Sequence, residues 1–143
     1  MSRPSPDVLA INICDTIIRD EHTKKVSLMG LFSVIWASGF PCTHPLMHVY
    51  VALTGGHGKH EIEVRLSLTA NEQMVMSMKG PVEFTSPLQV IELNLAWQRV
   101  TFKSPGEYAV EVFSDGSSVP VGRRKFNVRE QAEIPPTSGS EAI

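Results

Sequence analysis

Hydrophobic and polar residues alternate one by one along several stretches of the chain. Apolar side chains occupy every second position in residues 61–68, and residues 91–98 and 108–113 repeat this pattern. Successive side chains of an extended strand point to opposite faces, so each stretch has one face suited to a core. No window shows a convincing helical spacing with capping signals. The alternation predicts an all-β chain. We expect these side chains to be buried: Ile62, Val64, Leu66, Leu93, Leu95, Val110 and Val112.

Turn-forming residues separate the alternating runs at short intervals. Glycine, proline, asparagine, aspartate and serine cluster between them, as in residues 55–58 and 114–118. Many short strands at this spacing favour a two-sheet antiparallel sandwich. The domain is predicted to span residues 8–128, between an N-terminal extension (1–7) and a flexible C-terminal tail (129–143). We predict eight strands, at residues 8–18, 25–36, 46–54, 60–69, 73–79, 88–97, 106–114 and 119–128.

Asp15 interrupts the alternation of the first strand. Strict alternation places its carboxylate on the core face, where an unpaired charge is costly. A bulge near Cys14 and Asp15 that turns the carboxylate outward is the structural interpretation, and a site acid is the functional alternative. Gly122 is a natural bulge position in the last strand, and Gly30 indicates either a bulge or a close backbone approach.

Composition and charge narrow the classes of function. The chain has 143 residues, which fits one domain, and its formal net charge is −2. Because the basic residues are scattered and not in surplus, we predict no nucleic-acid partner. No apolar run reaches the length of a membrane span, and the N-terminus is a poor signal peptide, so a cytoplasmic location is expected. Cys14 and Cys42 should then be reduced thiols.

Cys42, His44 and His48 are the most suggestive metal-type cluster in the sequence. Cysteine and histidine both bind zinc. Residues four apart on an extended strand are separated by roughly 13 Å, so the two histidines can share a metal only if the chain turns at Pro45. The alternative is a loop cysteine beside exposed histidines. No phosphate-binding loop or nucleophile motif is present, and no cofactor is predicted.

Methionines and aromatic residues supply the candidates for an interaction surface. Met74, Met76 and Met78 share one strand face, and methionine is common both in cores and at adaptable binding surfaces. Trp36 and Phe40 bracket a loop, where an exposed aromatic ring is a typical anchor. If the methionine strand is a sheet edge, two copies can pair along it as a homodimer, or through the Trp36–Phe40 loop beside it.

Residues 102–112 carry a proline-glycine-glutamate-tyrosine phrase that ends at Tyr108. This phrase resembles the approach to the penultimate strand of an immunoglobulin-like sandwich. The resemblance implies that the Tyr108 hydroxyl turns back to the main chain near residues 102–105, as in a tyrosine corner. The last third of the domain therefore carries an immunoglobulin-like signature.

The span from residue 8 to residue 128 also resembles a family of small uncharacterised bacterial proteins of unknown function. The likeness rests on Cys14-Asp15, residues 25–32, Phe40-Pro41 and residues 106–108. It implies the fold and a bacterial origin. The family has no assigned activity, so the resemblance supplies no catalytic residues.

The sequence favours a non-enzymatic binding or protein-interaction module of unknown ligand. Its partner would be another protein or a second copy of the chain. One alternative is a metal-dependent protein or enzyme that uses the Cys42, His44 and His48 loop. Another is an accessory structural domain of a larger assembly. No catalytic residue is predicted, and fold alone does not fix function.

Overall fold

A computed structural model describes residues 4–133 of the chain, which form nine strands and one short 3₁₀ turn, Gln131–Glu133. The predicted all-β, immunoglobulin-like sandwich of two sheets is confirmed. The first strand begins one residue earlier and the last ends two residues later than predicted; residues 134–143 of the predicted flexible tail lie outside the described range. The strands are β1 (Asp7–Arg19), β2 (Val26–Leu31), β3 (Val34–Ala37), β4 (Cys42–Thr54), β5 (Gly58–Leu68), β6 (Met74–Phe84), β7 (Ile91–Phe102), β8 (Gly106–Ser114) and β9 (Gly122–Glu130).

The strands form one four-stranded and one five-stranded sheet. The order is β2-β1-β4-β7 in the first sheet and β3-β9-β8-β5-β6 in the second. Neighbouring strands are antiparallel except β3 and β9, which run parallel. The edges are therefore β2 and β7 in one sheet and β3 and β6 in the other. Residues 4–133 contain no helix that could span a membrane.

The predicted strand at residues 25–36 is two strands in different sheets. The Phe32 amide donates to the Ile13 carbonyl of the first sheet at 3.1 Å, and the Ser33 carbonyl accepts from the Asn127 amide of the second at 2.9 Å. The chain thus changes sheets between Phe32 and Ser33, which raises the strand number from eight to nine. β6 also continues past residue 79, where its end was predicted, and includes Pro81, because an edge strand tolerates proline.

Aromatic rings fill one part of the core between the sheets. The ring of Phe102 lies 4.9 Å from that of Tyr108 and 6.0 Å from that of Phe126, both edge-on. Such ring pairs contribute about 0.5–1.5 kcal/mol beyond their buried area. The Tyr108 hydroxyl donates to the Ser104 carbonyl at 2.7 Å, and the Tyr108 side chain is buried. This is the geometry expected of a tyrosine corner, and it fixes the chain before β8.

The outer face of the five-stranded sheet carries charges in opposite pairs. Arg65 Nη2 lies 2.9 Å from Glu63 Oε1, and Lys125 Nζ lies 3.8 Å from Glu107 Oε1. The guanidinium of Arg65 also stacks 4.2 Å over the Phe113 ring. Surface ion pairs of this kind contribute little to the stability of the fold.

Asp15 is exposed, but the bulge predicted beside it is wrong. The ladder between β1 and β2 runs through Asp15 without a shift, and the irregularity of β1 lies between Val8 and Ala10. β1 pairs with β4 only as far as Cys14. Beyond that point β1 is paired with β2 alone, so the Asp15 carboxylate reaches solvent although the alternation continues.

Gly30 and Gly122 mark close approaches of the backbone to a side chain. At Gly30 (φ 72°), a Cβ would lie 2.4 Å from Asp15 Oδ2, which is one of the two alternatives the sequence left open. At Gly122, a Cβ would lie 2.7 Å from the Val8 side chain, while the β8–β9 register shows no shift. The predicted bulge at Gly122 is therefore wrong, and the glycine lets β9 pass close to β1.

Candidate functional site

Cys42, His44 and His48 lie on one extended strand, β4, and the structure does not bring them together. β4 begins at Cys42, so the turn at Pro45 that a shared metal would require does not occur. The His44 ring lies 5.8 Å from the Phe32 ring, whereas His48 Nδ1 donates to the Asp15 carbonyl at 2.9 Å. Within residues 4–133 no three His, Cys, Asp or Glu side chains are grouped closely enough to hold a metal ion.

The two cysteines are free thiols, and Cys14 is fully buried. Burial raises the pKa of Cys14, and the neighbouring Asp15 carboxylate raises it further. The Cys14 thiol donates to the Thr16 carbonyl at 3.4 Å. A raised pKa keeps the thiol protonated, and the thiolate is the reactive form, so Cys14 is suited to packing and not to nucleophilic chemistry.

A contact between a buried histidine and an exposed aspartate was not foreseen from the sequence. His60 Nδ1 lies 2.7 Å from Asp115 Oδ2, and His60 Nε2 lies 3.0 Å from the His57 carbonyl. The His60 side chain is only 1% exposed. Both nitrogens of the His60 ring are therefore engaged and shielded from solvent, so the ring connects the start of β5 to the turn after β8 and does not present a base to a substrate.

The methionine strand is an edge of the five-stranded sheet. Met76 pairs with Leu66 and Met78 pairs with Val64, so both side chains point toward the inner side of the sandwich. There the strand faces β7, the edge of the other sheet. Met74 and Met78 are nevertheless 56% and 42% exposed. The methionines stand at the mouth of an opening between the two sheets, which we call the β6–β7 cleft.

The β6–β7 cleft contains two depressions that follow β6 along its length. The first, of about 360 Å³, lies at the Met74 end, and the second, of about 150 Å³, lies toward Val82. The first cavity is lined by Leu68, Gln73, Met74, Val75, Met76, Arg99, Val100, Thr101, Lys103, Ser104 and Tyr108. The second cavity is lined by Ile62, Val64, Met78, Lys79, Gly80, Pro81, Val82, Leu93 and Leu95.

Leu93 and Leu95 are only half-buried, which contradicts their expected place in the core. They lie on the inner face of β7, as the alternation indicated. Because β7 is an edge strand, the second cavity leaves these side chains partly uncovered. Whether these two leucines are covered depends on the order of the strands, which the alternation of apolar and polar residues does not reveal.

Arg99 has an unusual backbone conformation beside the first cavity. Its φ is 54°, and both Trp97 and Val100 are buried, so the inward–outward alternation of β7 breaks at this point. Arg99 and Lys103 are the charged members of the cavity lining, which includes no acidic residue. Irregular positions of this kind commonly re-aim a side chain next to a site.

Trp36 and Phe40 lie at the opposite edge of the five-stranded sheet. Trp36 belongs to β3, which is separated from β6 by three strands. Both side chains are half-buried, and Phe40 packs against the core. The expectation that this loop lies beside the methionine strand is therefore wrong, and the two groups of candidate residues form no common surface.

Comparison with known proteins places the chain in a family. The model of a family of unknown function, DUF6941, matches residues 9–129. The chain belongs to this family. The match covers nearly all of the sandwich, in agreement with the resemblance seen in the sequence, and a family of unknown function assigns no role to any residue.

No curated protein matches the chain. Among solved structures, the chain is similar to the crystal structure of the CARDB domain of the PF1109 protein from Pyrococcus furiosus in complex with di-metal ions. The identity is 13%, the match covers 92% of this chain and 98% of that one, and the TM-score is 0.46. No residue role is carried over from that domain.

Proposed function

We propose that this chain is a non-enzymatic protein-interaction domain that binds an extended segment of a partner protein by strand addition to β6. The observation that carries the proposal is an edge strand, Met74–Phe84, that runs beside the two depressions of the β6–β7 cleft. An edge strand offers unpaired amides and carbonyls, and neighbouring pockets can select side chains.

One half of β6 is better suited to pairing than the other. Lys79 and Pro81 occupy the second half, and lysine and proline are typical devices that protect an edge from pairing. The first half, residues 74–78, carries neither, and its one irregularity is a register shift against β5 where Met76 pairs with Leu66 and Met74 with Ser67. A free run of five residues fits a short extended segment, which is the partner that we propose.

The two cavities provide the means to recognise side chains. Alternate residues of an added strand point to the same face and are spaced by about 7 Å. One such side chain would enter the first cavity, between Met76 and Val100, and another would enter the second, beside Leu93. Methionine is unbranched and adapts to different shapes, so the cleft suits apolar side chains of several sizes.

Other partners for the same edge are a second copy of β6 and a strand of a larger assembly to which the domain is an accessory. Pairing of two β6 edges about a two-fold axis would give a homodimer. We place the interaction in a bacterial cytoplasm, because free thiols are typical of a reducing compartment and the sequence resembles a bacterial family. Neither a nucleic acid nor a membrane is part of the proposal.

The test is an affinity selection from a library of random peptides that carry free C-termini. We expect selected peptides with alternating apolar residues to bind at micromolar concentration. The double variant Met78→Lys, Val82→Lys should weaken this binding by about tenfold or more, because two charges would line the second cavity, away from Arg99 and Lys103. Val119→Lys, at a side chain that is 68% exposed elsewhere on the molecule, is the matched control.

Two outcomes would contradict the proposal. One is a selection that enriches no peptide over the double variant. The other is equal binding by the wild type, the double variant and Val119→Lys, which would place the peptide outside the cleft. Thermal unfolding of each variant shows whether a loss of binding arises from a loss of folding.

A further inference from the structure

We infer that the first cavity of the β6–β7 cleft binds the C-terminal carboxylate of the added segment, together with its apolar last side chain. This inference rests on the proposed function and narrows the partner to a chain that ends at the cleft. The cavity combines an apolar floor, formed by Leu68, Val100 and Tyr108, with two cations, Arg99 and Lys103.

The cations of this cavity differ from those on the outer face of the five-stranded sheet in their surroundings. On the outer face of the five-stranded sheet, Arg65, Arg123 and Lys125 each lie within 4 Å of a glutamate oxygen. In the part of the chain that the structure describes, Arg99 and Lys103 have no such acidic partner. Two unneutralised cations beside an apolar floor match an anion attached to an apolar group. The C-terminus of a peptide has this chemistry.

The backbone at Arg99 supports the same conclusion. A left-handed φ is unfavourable for a residue with a side chain, and it persists where the surrounding structure holds it. The buried neighbours Trp97 and Val100 hold β7 on both sides of Arg99. β7 therefore presents the Arg99 guanidinium at the mouth of the cavity, although the inner face of this strand is otherwise apolar. Guanidinium groups bind carboxylates with paired hydrogen bonds.

The position of the cations also fixes the direction of the segment. β6 begins at Met74, beside the first cavity, and passes the second cavity at Met78. A segment whose carboxylate lies at the Met74 end must therefore run antiparallel to β6. Its last side chain would cover Leu68 and Val100, and an earlier side chain on the same face would reach Leu93 and Leu95.

The experiment compares one selected peptide in two forms, with a free C-terminal carboxylate and with a C-terminal amide. We expect the free acid to bind the wild type about tenfold more tightly than the amide, as for loss of a charge-assisted contact. The double variant Arg99→Gln, Lys103→Gln should bind the acid as weakly as the amide, and its affinity for the amide should be unchanged. Lys125→Gln, which removes a cation from the outer face, should leave both affinities unchanged.

Each outcome bears on a different part of the proposal. Equal binding of acid and amide by the wild type would overturn the carboxylate site and leave strand addition standing. A preference for the acid that survives in Arg99→Gln, Lys103→Gln would also overturn it. Octanoate that binds as tightly as the peptide acid would show that the cavity takes small carboxylates and not a chain terminus. Failure of the peptide selection would count against strand addition itself.

Discussion

His60 Nδ1 lies 2.7 Å from Asp115 Oδ2, although 55 positions separate the two residues in the sequence. Asp115 also accepts a hydrogen bond from the Glu61 amide at 2.9 Å and one from the Ser114 hydroxyl at 3.0 Å. One carboxylate thus connects the start of β5 with the turn after β8. The His60 ring reaches the core beside Phe84, at 6.1 Å between ring centroids.

The contacts of Asp115 make stability depend on pH in acid. Burial raises the pKa of Asp115, but the hydrogen bonds from His60, Glu61 and Ser114 outweigh it and lower the pKa to about 2. A lowered folded-state pKa gives stability that is complete above the ordinary value of 3.8 and is lost as the pH falls through about 2. In urea unfolding between pH 2 and 5, Asp115→Asn should be less stable than the wild type above pH 4, and the difference should shrink toward pH 2. A difference that stays constant with pH would contradict this account.

The Tyr108 hydroxyl should contribute a measurable part of the stability. Tyr108→Phe removes the hydrogen bond to the Ser104 carbonyl and leaves the buried ring in place, so we expect a loss of about 1 kcal/mol in the free energy of unfolding. Tyr50→Phe is the control, because its hydroxyl bonds to Glu92 on an exposed surface. Equal effects of the two changes in chemical denaturation would show that the corner has no special role.

Leu66 lies in the core, whereas Leu95 lines the β6–β7 cleft. Leu66 is fully buried, so Leu66→Ala should cost about 2–5 kcal/mol of unfolding free energy. Leu95 is half-buried, so Leu95→Ala should cost less, about 1 kcal/mol, and should weaken peptide binding. Denaturation and peptide titration of both variants check the assignment. A larger stability loss for Leu95→Ala would mean that β7 is not an edge.

The glycine at position 30 should be hard to replace. Gly30→Ala places a methyl group 2.4 Å from Asp15 Oδ2 at a φ of 72°, and a left-handed alanine alone costs about 1–2 kcal/mol. We expect a loss of at least that size in chemical denaturation. Gly39→Ala is the control, because no atom within 4 Å would meet its Cβ. Combining Gly30→Ala with Asp15→Ala should recover the part of the loss that arises from the clash.

Much of the fold follows from the sequence because alternation is a local property. The runs around Ile62, Leu93 and Val110 assign the inner faces of β5, β7 and β8 correctly. The predictions that proved wrong concern contacts between segments that are distant in the sequence. To predict the change of sheet after Phe32, one must know which strand lies beside each half of residues 25–36. The residue types of this segment are compatible with a single continuous strand.

The candidate site was only partly accessible from the sequence for the same reason. The methionine spacing suggested an edge or a core strand, and strand order decides between them. The sequence does not show that Arg99 and Lys103 share a cavity with the methionines, because they meet only when β7 lies over β6. The one clue in the sequence was that Arg99 stands where the alternation of residues 91–98 would place an apolar side chain.

The free β6 edge also predicts weak self-association that a bound peptide should prevent. Without a partner, residues 74–78 of two molecules can pair about a two-fold axis, because matching edges are complementary. We expect the mass in light scattering to be that of a monomer at micromolar concentration and to rise toward a dimer at millimolar concentration. Met76→Lys should keep the protein monomeric without unfolding it, since Met76 is half-buried at the cleft and lies at the centre of the free run. A selected peptide should have the same effect, because peptide and second copy compete for one strand. A dimer that persists in saturating peptide and in Met76→Lys would place the contact on another surface, and a monomer at every concentration would show that β6 does not pair with itself.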